Sequence, residues 1–150
     1  MIFIPTFNPS NNLIKTLEKL LKRIEAKNII IVNDGSNSED SKNVLDIIKK
    51  NHKDIIVIDL GSNRGKGYAI KESLKYCKKE NKNFALFIDD DGQHDFEDII
   101  LIFKDYFGSK KIVIGQRVLS FNKLPIASYI GNKISSIIFF LVTGKNIVDT

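Results

Sequence analysis

Five short apolar runs, separated by stretches of helical periodicity, constrain this chain more than any other feature. The runs are Met1–Ile4, Asn28–Val32, Asp54–Asp59, Phe84–Asp89 and Lys111–Ile114. They are rich in Ile, Val and Phe and show little alternation, the pattern of strands buried on both faces. Between the first two, Leu13, Ile14, Leu17, Leu20, Leu21 and Ile24 recur at helical steps. Val44, Leu45, Ile47 and Ile48 predict a second helix, and Ala69, Ile70, Leu74 and Cys77 a third. Phe96, Ile99, Ile100, Ile102 and Phe103 predict a fourth, with Asp95 as its N-cap and Glu97 and Asp98 in its first turn. Strand and helix alternating four times before a fifth strand define an α/β domain, a mostly parallel sheet flanked by helices.

Ligands of such sheets bind beyond the carboxyl ends of the strands, so the residues after each strand carry the functional reading. They are Pro5-Thr6-Phe7-Asn8-Pro9, Asn33-Asp34-Gly35-Ser36, Gly61-Ser62-Asn63-Arg64-Gly65-Lys66-Gly67, Asp89-Asp90-Asp91-Gly92-Gln93-His94-Asp95 and Gly115-Gln116-Arg117. Polar and charged groups from five loops thus converge on one sheet edge. The triple carboxylate is the strongest chemical signal. Asp89 and Asp91 can project to one side with Asp90 turned away, and two close carboxylates repel unless a divalent cation lies between them. Hard oxygen ligands suit Mg²⁺ or Mn²⁺. The bland alternative is an acidic capping loop ahead of Asp95. The glycine segment fits neither a P-loop nor a dinucleotide fingerprint. It reads as a loop at a helix N-terminus with Arg64 and Lys66, suited to an anion, or as a plain turn with an exposed lysine. Asp34 is either an acceptor for a base N–H or a turn residue.

Composition narrows the partners. One domain's worth of chain, 150 residues, carries a single cysteine, Cys77. No disulfide and no cysteine-based zinc site can form within it, and an intracellular setting is expected. The formal net charge of +5 comes from 20 Lys and 3 Arg against 18 acidic residues. That balance allows attraction to nucleotides or an acidic membrane surface. No basic run with interleaved aromatics occurs, so nucleic acid is not an expected partner. Met1–Ile4 is too short for a signal-peptide core, and no uncharged apolar stretch is long enough to span a bilayer. Residues 126–143 read as an amphipathic helix, with Ile126, Ile130, Ile134, Ile137, Ile138 and Leu141 on one face. It either covers the sheet or rests on a membrane.

The motifs together resemble the family 2 glycosyltransferases of the GT-A fold, most closely their polyprenyl-phosphate, dolichol-phosphate mannose synthase-like branch. Ile4 to Asn8, Ile31 to Ser36, Asn63 to Ile70, Phe87 to Asp95 and Gly115 to Arg117 occur in that family's order and spacing, over residues 1 to 117. The resemblance implies a donor site for a nucleoside-diphosphate sugar built from Pro5, Thr6, Phe7, Asp34, Lys66, Asp89, Asp90, Asp91, Gln93 and Arg117. Asp89-x-Asp91 looks like the family's D-x-D motif for Mg²⁺ or Mn²⁺, with Gln93 assisting and Asp89 and Asp91 catalytic through that metal. Arg117 matches a phosphate-contacting arginine.

Four departures from the family pattern stand out. Phe7 replaces a Tyr, Pro9 a Glu, Asn33 an Asp and Phe96 a Pro. Asp149-Thr150 look like the start of a further family motif, so the sequence reads as a donor-binding domain cut short inside it. The implied reaction is inverting hexose transfer, from GDP-mannose or a UDP-sugar, to a polyprenyl phosphate at the cytoplasmic face of a membrane, by a peripherally attached enzyme. The competing expectations are a fragment that binds donor without turnover, or a family member whose acceptor is a sugar hydroxyl. A phospho-acceptor signalling domain would explain Asp34 and Asp89 but not Lys66, Gln93 or Arg117.

Overall fold

The computed structural model describes residues 1–105, together with 135–137, 140, 141 and 144. The chain divides into two compact units, Met1–Ser109 and Lys110–Thr150. The expected fifth strand, the Gly115–Arg117 motif and most of the 126–143 helix lie outside the described residues. Within the second unit, residues 135–137, 140 and 141 are helical.

In the first unit β1 (Ile2–Thr6), β2 (Ile29–Asn33), β3 (Ile56–Asp59) and β4 (Leu86–Phe87) form one sheet, ordered β3-β2-β1-β4. Every neighbouring pair is parallel. The helices α1 (Asn11–Leu20), α2 (Glu39–Asn51), α3 (Lys66–Lys79) and α4 (Phe96–Asp105) follow the four strands in turn. This is the α/β class expected. The strands show no alternation because both faces are covered. Ile2, Ile4, Ile29 and Ile31 share a core with Leu13, Leu17 and Leu20 of α1, Val44, Leu45 and Ile48 of α2, and Ile99 and Ile100 of α4. The intervening Phe3, Ile30 and Val32 face the other way and pack with Ala69 and Cys77 of α3. Full burial of each such aliphatic or aromatic side chain stabilises by about 1.5–3 kcal/mol.

Helix starts follow local chemistry. Ser10 Oγ accepts from the Asn12 amide at 3.3 Å, and Ser38 Oγ from Ser41 at 3.2 Å. Asp95 Oδ1 accepts from Glu97 at 2.8 Å, the cap anticipated for α4. Some details differ from expectation. The first stripe runs on to Ile24, yet α1 ends at Leu20. The Lys22 and Arg23 amides bond to Lys19 and Leu20 carbonyls, three residues back. That tighter winding ends the α-helix while still delivering Ile24 to the core. Ile47 and Leu74, apolar members of the two stripes that predict α2 and α3, are exposed. Ser41 and Ser73 are fully buried instead. Each hydroxyl donates to a nearby backbone carbonyl, Ser38 and Ala69 respectively, both at 2.7 Å, which removes the cost of burying it.

The fourth strand is shorter than the run Phe84–Asp89, and Pro5 supplies the reason. The Phe3 carbonyl accepts from the Ile88 amide at 3.1 Å, so Phe3 faces β4. Residues two apart on a strand face the same neighbour, so Pro5 faces β4 as well. Pro5 has no N–H with which to continue the ladder. Pairing stops there, and Asp89 to Asp91 leave the sheet.

Candidate functional site

The strand order reverses direction at β1, whose neighbours are β2 on one side and β4 on the other. A crevice at the carboxyl end of such a switch point is the expected ligand position in an open parallel sheet. Thr6 and Phe7 follow from β1, Asp34 and Gly35 from β2, Gly61 to Lys66 from β3, and Asp89 to Gln93 from β4. Nine of the ten site residues expected from the sequence are therefore carried on or just after these strand ends. Arg117 lies outside the described residues.

Asp34 is almost wholly buried, 3% exposed. Its Oδ1 and Oδ2 accept from the Arg64 amide at 3.0 and 3.2 Å, and Oδ2 from the Gly65 amide at 2.7 Å. These amides stand at the start of α3, where orphan N–H groups would otherwise face an anion. The glycine loop was expected to offer such a cradle. In the structure Asp34 occupies the two amides just ahead of the first residue of α3, those of Arg64 and Gly65. Arg64, two residues ahead of α3, reaches onto that helix, its guanidinium 4.9 Å from the Tyr68 ring centroid and 3.1 Å from the Tyr68 hydroxyl.

Other polar side chains lace the rim together. Asn33 donates to Asp59 at 3.1 Å and accepts from the Ser36 amide at 3.0 Å. Asn8, at φ +51°, accepts from the Asn37 and Ser38 amides at 2.9 and 3.2 Å. The sequence reading assigned Asn8 no role. Its one available signal was residue type, since Asn tolerates positive φ better than most residues do. Gly35 has φ +68°, and a Cβ there would lie 2.4 Å from the Ser62 carbonyl carbon. The loops after β2 and β3 touch at that point, which only glycine permits.

The acidic loop divides its carboxylates. Asp89 Oδ1 meets the Lys66 ammonium at 2.5 Å, and His94 Nε2 is 3.7 Å from Oδ2. Asp90 turns toward β1 and accepts a hydrogen bond from the Thr6 hydroxyl. Burial pushes the Asp90 carboxyl above its usual range; the Thr6 bond opposes this, and the charges of Asp91 and Asp89 add to it. Asp91 is exposed and accepts from the Gln93 amide at 2.9 Å. Phe7 is 44% exposed, whereas Pro5 is buried within the sheet.

The donor set suits a hard divalent cation. Two carboxylates and an amide oxygen lie within five residues, and Asp89 already holds a cation, the Lys66 ammonium. Among the described residues, no three His, Cys, Asp or Glu side chains group closely enough to enclose a metal. Mg²⁺ does not require such a cage: one or two carboxylates with water and substrate phosphates complete its octahedron.

A parallel α/β domain with its acidic and basic groups gathered at the switch point belongs to the open α/β sheets whose ligands sit at that edge. Within that class the chain belongs to glycosyl transferase family 2, whose profile matches residues 1–143. It is 33% identical, over 138 residues, to an uncharacterized protein of Methanocaldococcus jannaschii, covering 90% of this chain and 58% of that protein. It is 29% identical to the UDP-N-acetylglucosamine–dolichyl-phosphate N-acetylglucosaminyltransferase of Methanococcus voltae, covering 99% of this chain and 65% of that enzyme. A dolichyl-phosphate β-glucosyltransferase of Saccharomyces cerevisiae is 27% identical over 107 residues, 65% of this chain and 31% of that enzyme. The chain thus spans 58% and 65% of the lengths of the two archaeal relatives.

Proposed function

We propose that this chain forms the donor side of a metal-dependent, inverting glycosyltransferase that moves a hexose from a nucleoside-diphosphate sugar to a polyprenyl phosphate. The observation that carries the reading is the pairing at the switch point: Lys66 on Asp89, with Asp91 exposed beside them. Family membership and the acceptor named in two relatives support the acceptor class.

Asp89 and Asp91, assisted by the Gln93 amide oxygen, would hold Mg²⁺ or Mn²⁺. When bound, the ion neutralises charge on the leaving diphosphate. Lys66 supplies a second positive charge from the start of α3, and Arg117 is proposed to join it on phosphate. Phe7 offers an exposed apolar face to the nucleotide, and Thr6 borders the crevice. Asp34 shapes the loop that carries Lys66. An acceptor phosphate monoester has a second pKa of about 6. Its oxygen is anionic at neutral pH and attacks the anomeric carbon without a protein base. The bond from that carbon to the diphosphate oxygen breaks, its electron pair leaves with the nucleoside diphosphate, and the configuration inverts. We propose the cytoplasmic face of a membrane as the place where donor and lipid meet.

Titrating GDP- and UDP-sugars with Mn²⁺, and again with a chelator, tests the reading. Binding should require the ion, and Asp91→Ala should weaken it at least tenfold, about 1.4 kcal/mol. Equal affinity with ion and with chelator would refute the metal assignment.

A further inference from the structure

We infer that Lys66 is an exchangeable counter-cation for Asp89: it occupies that carboxylate until donor diphosphate draws it away, and so couples metal binding to donor binding. The inference rests on the metal-site reading above and assigns Lys66 a second task within it. The ammonium is 2.5 Å from Asp89 Oδ1, and among the described residues His94 Nε2, at 3.7 Å from Oδ2, is the other basic group facing this carboxylate. A divalent ion approaching Asp89 must displace the Lys66 ammonium or bind the same carboxylate beside it, against charge repulsion. The pair is built for exchange. The Lys66 and Asp89 side chains are 61% and 37% exposed, so water and salt weaken their attraction.

The base of Lys66, by contrast, is fixed. It is the first residue of α3, directly after the Arg64 and Gly65 amides that Asp34 grips. A pinned backbone with an exposed tip lets the ammonium move between partners without the helix moving. A diphosphate in the crevice offers it two or more anionic oxygens in place of one carboxylate. Its departure frees Oδ1 for the metal that the same diphosphate needs. Linkage makes the effect reciprocal: nucleotide tightens metal binding by the factor by which metal tightens nucleotide.

The test is Mn²⁺ titration of the full chain, followed by the paramagnetic resonance of the unbound ion, without nucleotide and with UDP or GDP. Lys66→Gln should bind Mn²⁺ about two- to fivefold more tightly than wild type when no nucleotide is present, the range an exposed ion pair allows. Its tightening on adding nucleotide should be smaller than in wild type. Lys66→Arg, which keeps the charge, should retain weak Mn²⁺ binding and strong coupling. Asp89→Asn separates the two ideas. If it abolishes Mn²⁺ binding while Lys66→Gln leaves it no tighter than wild type, the exchange role is overturned and the metal site stands. If Asp89→Asn binds Mn²⁺ as wild type does, the metal site fails, and the exchange role with it.

Discussion

Asp90 sits between the two residues proposed to hold a metal, yet its bond runs to Thr6 on the neighbouring strand. Its carboxyl lies above the usual range because burial penalises the charge, the Thr6 bond only partly offsetting this. The consequence for stability has a definite sign. An acid whose native pKa is raised binds protons more tightly folded than unfolded, so stability falls as pH rises through the native value. Asp90→Asn keeps an acceptor for Thr6 and removes that charge. In the presence of chelator, the variant should gain stability relative to wild type from pH 4 to 7, measured by urea unfolding at each pH. A constant difference across that range would argue against the burial account. The sequence offers Asp89, Asp90 and Asp91 as a candidate site with Asp90 turned away, and Asp90 and Asp89 do take different partners, Thr6 and Lys66. That Asp90 would reach Thr6, 84 residues away, was not legible, because strand order is a property of the assembled sheet. Asp34 shows the same limit. A strand-end acid before Gly-Ser announces a polar role, but its partners, Arg64 and Gly65, come from another loop.

Among the elements, loops depend on glycine for different reasons. Gly35 combines φ +68° with a Ser62 carbonyl carbon 2.4 Å from where a Cβ would be. Gly35→Ala should cost about 1–3 kcal/mol, from the left-handed backbone and the clash together. Gly67 lies in α3, and a Cβ there meets nothing within 4 Å. Gly67→Ala should therefore stabilise by about 0.5–1 kcal/mol. Thermal unfolding of the two variants should shift in opposite directions; a shared direction would contradict this division. The two motifs themselves could not show that, of these two residues, only Gly35 is required to be glycine. Helix positions were legible because apolar residues recur at helical steps, and α2, α3 and α4 all include their expected stripes. Ile47 and Leu74 belong to those stripes yet are exposed, because hydrophobicity marks only a candidate for burial, and here Ser41 and Ser73, with helix-directed hydroxyls, are buried.

For the whole molecule, the proposed lipid-borne acceptor raises the question of how the chain would reach a membrane. Among the described residues no helix is long and apolar enough to cross one. In the second unit Ile137, Phe140 and Leu141 are 53%, 45% and 75% exposed, spaced as one helical face. Together with the net charge of +5, this supports weak attachment to anionic bilayers. At low salt, part of the chain should sediment with anionic vesicles, and serine at all three positions should reduce that fraction. Equal recovery in the supernatant would sink the idea. Asp34 has a different consequence at this scale, one that concerns exchange of parts between relatives. It holds the 61–65 loop through main-chain amides, a grip indifferent to the side chain at position 64. What the clamp does require is Gly65, at φ +89°. The segment therefore behaves as an interchangeable cartridge: side chains at 62 and 64 can differ between relatives while Asp34 and Gly65 remain the fixed fitting.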